Sequence, residues 1–169
     1  YNQLVEVAIE LKSCKAGPLT GSGLACEGGW PTSATVVQGP ETEGLYGHTR
    51  LAPRQAVDLA NSVGTPVYAT FNGTVSYTCD GNCGGYGNHV VIKPDSTEAK
   101  VTYAHLSAIA ENDGRKWAEG MKIKAGDQIG LMGCSGTCTG PHLHYEFVDL
   151  ALASPNIPEN ITPRDCDST

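Results

Sequence analysis

The sequence predicts a mainly β domain of short antiparallel strands, preceded by an N-terminal helix and a loop-rich connector. Three observations carry that expectation. The 169 residues include 21 Gly and 10 Pro but only two Phe and two Met, a composition of tight turns joining short strands rather than of long helices. From Leu45 to Val148 apolar residues alternate in short runs punctuated by Gly, the period-two pattern of half-buried strands. With 40% hydrophobic and 17% charged residues, the chain can fill a core and is unlike a disordered one. The length is that of one domain with appendages.

In chain order, Leu4, Val5, Ala8, Ile9 and Leu11 fall at helical spacing with Glu6, Glu10 and Lys12 elsewhere on the wheel, so residues 2–15 read as an amphipathic helix too short and too charged to span a membrane. The chain begins at Tyr1 rather than Met, as a processed or trimmed chain would. Residues 16–45 are rich in Gly, Pro, Ser and Thr and read as a connector with one strand at Ala34–Val37. Residues 46–148 form the β domain. Strands are expected at Val67–Phe71 and Thr74–Thr78 around an Asn72-Gly73 hairpin turn. His89–Lys93 and Val101–Leu106 form the next pair, followed by Ile123, Ile129–Met132 and His142–Val148. Ala108–Glu119 is the one stretch of this region that reads as helical. Residues 149–169 are a tail whose prolines exclude a central strand.

Eleven Lys and Arg against eighteen Asp and Glu give a net charge of −7, which repels phosphate backbones and excludes nucleic acid as a natural partner. Seven cysteines stand at 14, 26, 79, 83, 134, 138 and 166. Cys79/Cys83 and Cys134/Cys138 each close around turn-forming residues. They read as local disulfides, hence as an oxidising, extracellular or cell-surface location. A zinc ribbon is the rival reading of two close pairs, disfavoured by the three-residue spacers and the acidic charge. Cys14 with Cys26 is the easiest third pair, leaving Cys166 over.

The chemistry concentrates in the histidines. In Pro141-His142-Leu143-His144-Tyr145-Glu146-Phe147 strand alternation places His142, His144 and Glu146 on one face and Leu143, Tyr145 and Phe147 on the other. His105 ends a strand on which Val101, Tyr103 and His105 share a face by the same rule. Asp58 lies in the apolar run Ala56-Val57-Asp58-Leu59-Ala60, where a carboxylate needs a partner. Three imidazoles and one such acid suit a zinc hydrolase. His89 reads as an exposed residue at a strand start, and Tyr86 as a groove-lining substrate contact or a packing aromatic.

Gly64-Thr65-Pro66-Val67-Tyr68-Ala69, Asn72-Gly73-Thr74-Val75, Gly84-Gly85-Tyr86-Gly87-Asn88, Tyr103-Ala104-His105-Leu106, Lys124-Ala125-Gly126-Asp127 and Gly140-Pro141-His142-Leu143-His144 together resemble the lysostaphin-type, or LytM-like, zinc endopeptidases, which cut peptidoglycan cross-bridges and other glycine-rich peptides. The resemblance implies a small antiparallel barrel-sandwich domain with a groove floored by one sheet. It implies zinc ligands at Asp58 and His144, and catalytic roles for His105 and His142 in handling the water and the oxyanion.

The same resemblance implies a further ligand four residues before Asp58, where this sequence has Arg54, and a Gly where it has Ala56. Guanidinium offers donors only and cannot bind a cation. The first expectation is therefore a domain without cofactor, in which Arg54 neutralises Asp58 and the groove serves as a non-catalytic module binding peptidoglycan or glycine-rich peptide, or as a structural one. The alternative is an active zinc endopeptidase in which His48, six residues before Arg54, or a water completes the metal shell. A third reading is a subunit of an extracellular filament or surface assembly, with self-assembly or a surface protein as partner.

Overall fold

Twelve antiparallel strands carry the fold among the residues described by the computed structural model, which are 29–39, 48, 55–96, 99–148 and 160–161. They are β1 (Ala34–Gln38), β2 (Gln55–Ala60), β3 (Pro66–Tyr68), β4 (Gly73–Cys79), β5 (Asn88–Pro94), β6 (Lys100–Ile109), β7 (Glu111–Asn112), β8 (Arg115–Lys116), β9 (Lys122–Ile123), β10 (Gln128–Met132), β11 (His142–Val148) and β12 (Asn160–Ile161). No α-helix occurs among the described residues. The helix expected over 2–15, Arg54, and Cys14, Cys26 and Cys166 lie outside them.

The main sheet runs β12-β1-β2-β11-β6-β5-β4-β9, with β10 pairing both β6 and β3. β11 is central: it pairs β2 from His142↔Ala60 to Phe147↔Gln55 and β6 from His144↔Ala104 to Val148↔Lys100. Neither ladder is interrupted, so alternation holds along β11 as the sequence predicts. Leu143, Tyr145 and Phe147 enter the core with Val57 and Leu59 of β2, Val101 and Tyr103 of β6, and Val90 and Ile92 of β5. Burying each such side chain contributes roughly 1.5–3 kcal/mol. The Tyr103 and Tyr145 hydroxyls both meet Thr70 Oγ1 at 2.7 Å, so the polar ends of these buried rings are satisfied.

Two local expectations are corrected. Ala108–Glu119 is not helical: β6 continues to Ile109, and β7 and β8 form a hairpin around Asp113 and Gly114, with φ of 51° and 74°. Two consecutive left-handed residues are the backbone of a type I′ turn, for which Asp-Gly is a favoured pair. Asn72-Gly73 does not close a hairpin either, since β3 pairs β10 while β4 pairs β5 and β9. Asn72 braces neighbouring loops: its Oδ1 accepts the Ala125 N–H at 3.0 Å and its carbonyl accepts the Asp95 N–H at 2.9 Å.

Both expected local disulfides are present, Cys79–Cys83 and Cys134–Cys138. Each staples a short loop, 79–83 and 134–138. The 134–138 loop lies against the 3-10 turn Gly84–Tyr86, with the Thr137 N–H donating to the Gly85 carbonyl at 2.9 Å. Gly87 and Gly136 have φ of 59° and 76°, and a Cβ on either would enter the other loop's backbone. Glycine permits both the left-handed conformation and the close approach.

Candidate metal centre

Alternation puts Asp58, His144 and Glu146 on the face of the sheet opposite the core, and cross-strand register sets Asp58 directly beside His144. His144 Nδ1 is 2.9 Å from Asp58 Oδ1. The third member is His48, whose Nε2 lies 3.2 Å from the same oxygen. His48, Asp58 and His144 are all buried, and one ligand atom of each lies within 4.8 Å of the others. The expectation that only two donors survive the Arg54 substitution therefore does not describe this geometry. β2 is paired without a break from Gln55 to Ala60, so no bend occurs at Ala56. His48 reaches Asp58 from outside that strand.

Proton placement shows what the three side chains present to one another. A carbonyl only accepts, so His48 donates Nδ1–H to the Gly39 carbonyl at 2.9 Å, which leaves its Nε2 lone pair facing Asp58. His144 Nε2 lies 2.9 Å from Glu146 Oε2. With the proton on Nε2, His144 faces Asp58 with the Nδ1 lone pair. Three electron-pair donors thus converge, an arrangement that a shared cation or an added proton must relieve. When protons rather than a cation lie between these groups, burial raises the Asp58 carboxyl, but hydrogen bonds and charge from His144 and His48 outweigh it and hold the group well below the usual carboxylate range. Burial disfavours charge on His144, yet Asp58 and Glu146 push its pKa up to about 9. Without a cation, a proton fills the gap. Two imidazole nitrogens and a carboxylate oxygen make up a donor set that fits zinc with three protein ligands.

His142 and His105 complete the site. His142 donates Nδ1–H to the Gly140 carbonyl at 2.8 Å, and its Nε2 lies 3.7 Å from Asp58 Oδ2. His105 donates Nδ1–H to the Ser135 carbonyl at 2.8 Å, and the two rings meet edge to face with centroids 4.6 Å apart. Backbone carbonyls therefore fix both tautomers, leaving each Nε2 as the free acceptor. Burial lowers the His105 pKa to about 4, against the pull of the Ser135 carbonyl, so this imidazole is neutral near pH 7.

His105 does not share the core face of Val101 and Tyr103, as simple alternation predicts. Its φ is 62°, a left-handed conformation uncommon outside glycine. The pairing of β6 changes at this residue: β11 is the neighbour up to Ala104 and β10 from Leu106 onward, with a register shift opposite β5 as well. The irregularity turns one side chain out of the core and into the site, a recurrent use of bulges.

Tyr86 donates its hydroxyl proton to Glu146 Oε2 at 2.7 Å, and its ring lies 5.7 Å from that of His144. His89 is buried rather than exposed, donating Nδ1–H to the Gly87 carbonyl at 2.7 Å and lying 5.5 Å from the Tyr86 ring. Sequence reasoning put Glu146 on the histidine face but assigned it no role. An acid two residues beyond a His on one strand face is the signal that was present. Two cavities adjoin the cluster. One, of about 230 Å³, is lined by Tyr77, Tyr86, His89, Lys100 and Glu146; the other, of about 360 Å³, by Gln38, Asp58, Thr139, Pro141 and His142.

Comparison with known proteins places the chain in a family. Residues 52–154 match the profile of Peptidase family M23. Among curated relatives, the DD-carboxypeptidase/endopeptidase Mpg of Neisseria meningitidis is 36% identical over 110 residues, 60% of this chain and 23% of its own length. The peptidoglycan DD-endopeptidase ShyA of Vibrio cholerae is 41% identical over 99 residues, 59% of this chain and 21% of its own. The murein hydrolase activator NlpD of Escherichia coli is 34% identical over 70% of this chain and 27% of its own. This chain thus spans about a quarter or less of the length of the first two relatives. Among solved structures, the catalytic domain of the prophage-encoded protein EnpA from Enterococcus faecalis superposes with a TM-score of 0.54 at 32% identity, covering 78% of this chain and 88% of that one. Lysostaphin from Staphylococcus simulans superposes with a TM-score of 0.55 at 25% identity, covering 77% and 47%. With most of its β domain inside the matched region and the same fold as these neighbours, the chain belongs to Peptidase family M23.

Proposed function

We propose that this domain is a zinc-dependent endopeptidase acting on peptidoglycan peptides outside the cytoplasm, with His48, Asp58 and His144 as the protein ligands. The observation that carries the reading is the convergence of three buried donors at one point, with Asp58 lining one cavity. A zinc ion held there would supply Lewis acidity for a peptide carbonyl and for the attacking water. His105 and His142 would act through their Nε2 atoms: one neutral imidazole takes a proton from the attacking water and then gives it to the leaving amine, while the other, having taken a proton from solvent, donates toward the oxyanion. The cavity lined by Asp58 and His142 is where peptide beside the cleaved bond would lie. The disulfides fit an oxidising compartment, and among the described residues no helix is long and apolar enough to cross a membrane.

The test is incubation of the purified protein with cross-linked peptidoglycan. Release of peptide fragments that a chelator stops and zinc restores is expected. A relative named as a murein hydrolase activator favours a second reading, a metal-free groove that binds cell-wall peptide without cutting it. Binding without release, by protein free of zinc, would select that reading.

A further inference from the structure

We propose that Glu146, held in place by Tyr86, is the positioning residue of the metal centre. Its Oε2 receives Nε2–H of His144, so that the Nδ1 lone pair is the one presented to a cation. The inference rests on the reading of His48, Asp58 and His144 as a zinc site and deepens it.

Three features of the site support it. Glu146 is fully buried, and a carboxylate removed from water is costly unless charge and hydrogen bonds compensate. Its Oε2 sits at 2.9 Å from His144 Nε2 and 2.7 Å from the Tyr86 hydroxyl, so two donors from different parts of the fold converge on one oxygen. The opposite side of the same imidazole faces Asp58. A ring with a committed N–H on one side and a lone pair aimed at the cluster on the other is what an outer-shell carboxylate produces, fixing tautomer and orientation and raising ligand basicity.

The local folds explain why these groups meet. Alternation on β11 places Glu146 on the His144 face, two residues along the strand. Tyr86 comes from the turn after Cys83, which the Cys79–Cys83 disulfide staples and the 134–138 loop braces through Thr137 N–H and the Gly85 carbonyl. Tyr86 is thus presented by a stapled turn, and it limits how far the Glu146 carboxylate can rotate away from His144.

The test compares zinc dissociation constants, by chelator competition, for the wild-type domain, Glu146→Gln and Tyr86→Phe, with the cobalt(II) absorption spectrum as a second readout. Thermal midpoints of the metal-free proteins check folding. Glu146→Gln keeps the shape and one acceptor oxygen but removes the charge, and an affinity loss of about 10–100-fold is expected, with displaced cobalt bands. Tyr86→Phe should lose less, in the same direction. Wild-type zinc affinity and an unchanged cobalt spectrum in a folded Glu146→Gln domain would overturn the inference while leaving the zinc reading intact. Failure of the wild-type domain to bind zinc would overturn the zinc reading, and this inference with it.

Discussion

The two sides of the candidate metal centre are built in different ways. Asp58 and His144 stand on adjacent strands in uninterrupted register, and their meeting at 2.9 Å follows from pleat and pairing alone. His48 and His105 arrive by irregular routes: one from outside the strands, tied by its Nδ1–H to the Gly39 carbonyl, the other from a strand whose backbone turns left-handed at that residue. Regular structure supplies half of the site cheaply and rigidly, while the irregular half depends on particular backbone hydrogen bonds and on a strained dihedral. Substitutions should therefore act differently on the two halves.

The largest effect is expected from the ligands themselves. His48→Ala should lose zinc by more than the roughly 100-fold that an outer-shell partner is worth and abolish peptide release, as His144→Ala should. If His48→Ala retained zinc while His144→Ala lost it, the irregular half would not be part of the metal centre. His105→Ala comes next: zinc content should persist while kcat falls about 10²–10⁴-fold, the range for removing a proton-transfer group, which metal analysis beside kinetics would show.

Acidity gives a smaller, graded effect. A metal must displace the proton that His144 holds with a pKa of about 9 in the metal-free domain, so apparent zinc affinity should rise up to about tenfold per pH unit below that value and level off above it. The same shift fixes the sign for folding. A histidine pKa raised above its ordinary value stabilises the metal-free fold fully below about 6.5, and that contribution is lost as pH rises through 9. Thermal midpoints measured across this window should decline, and a rise would contradict the assignment. The smallest effect concerns the left-handed residue: His105→Gly should be more stable than His105→Ala by up to about 1 kcal/mol in urea denaturation, because only the alanine keeps the Cβ penalty at φ of 62°.

The same division explains what was legible in the sequence. Period-two alternation located β11, both of its faces, and the shared face of His142, His144 and Glu146, because that strand is paired on both sides without a bulge. Spacing within an element says nothing about a donor that arrives from outside it. The family resemblance implies a ligand at the position of Arg54, which cannot bind a cation, and leaves His48 only as an alternative, because spacing alone does not show that a residue outside the strand reaches Asp58. The donor that reaches Asp58 is His48, which lies before the region matching the family profile. His105 was a candidate from its surrounding motif, but its face was misassigned because no sequence pattern announces that β6 exchanges β11 for β10 at that point. The Asp113-Gly114 turn was legible in principle and was obscured by the apolar residues around it, Ile109 and Trp117, which are both core.

The central claim is that His48 restores a three-donor zinc site. Anomalous diffraction at the zinc absorption edge, on crystals of the protein supplied with zinc, tests it most directly. The account predicts a single strong peak within bonding distance of His48 Nε2, the Asp58 carboxylate and His144 Nδ1. A domain that shows no peak there, or a zinc ion held without His48, would contradict it.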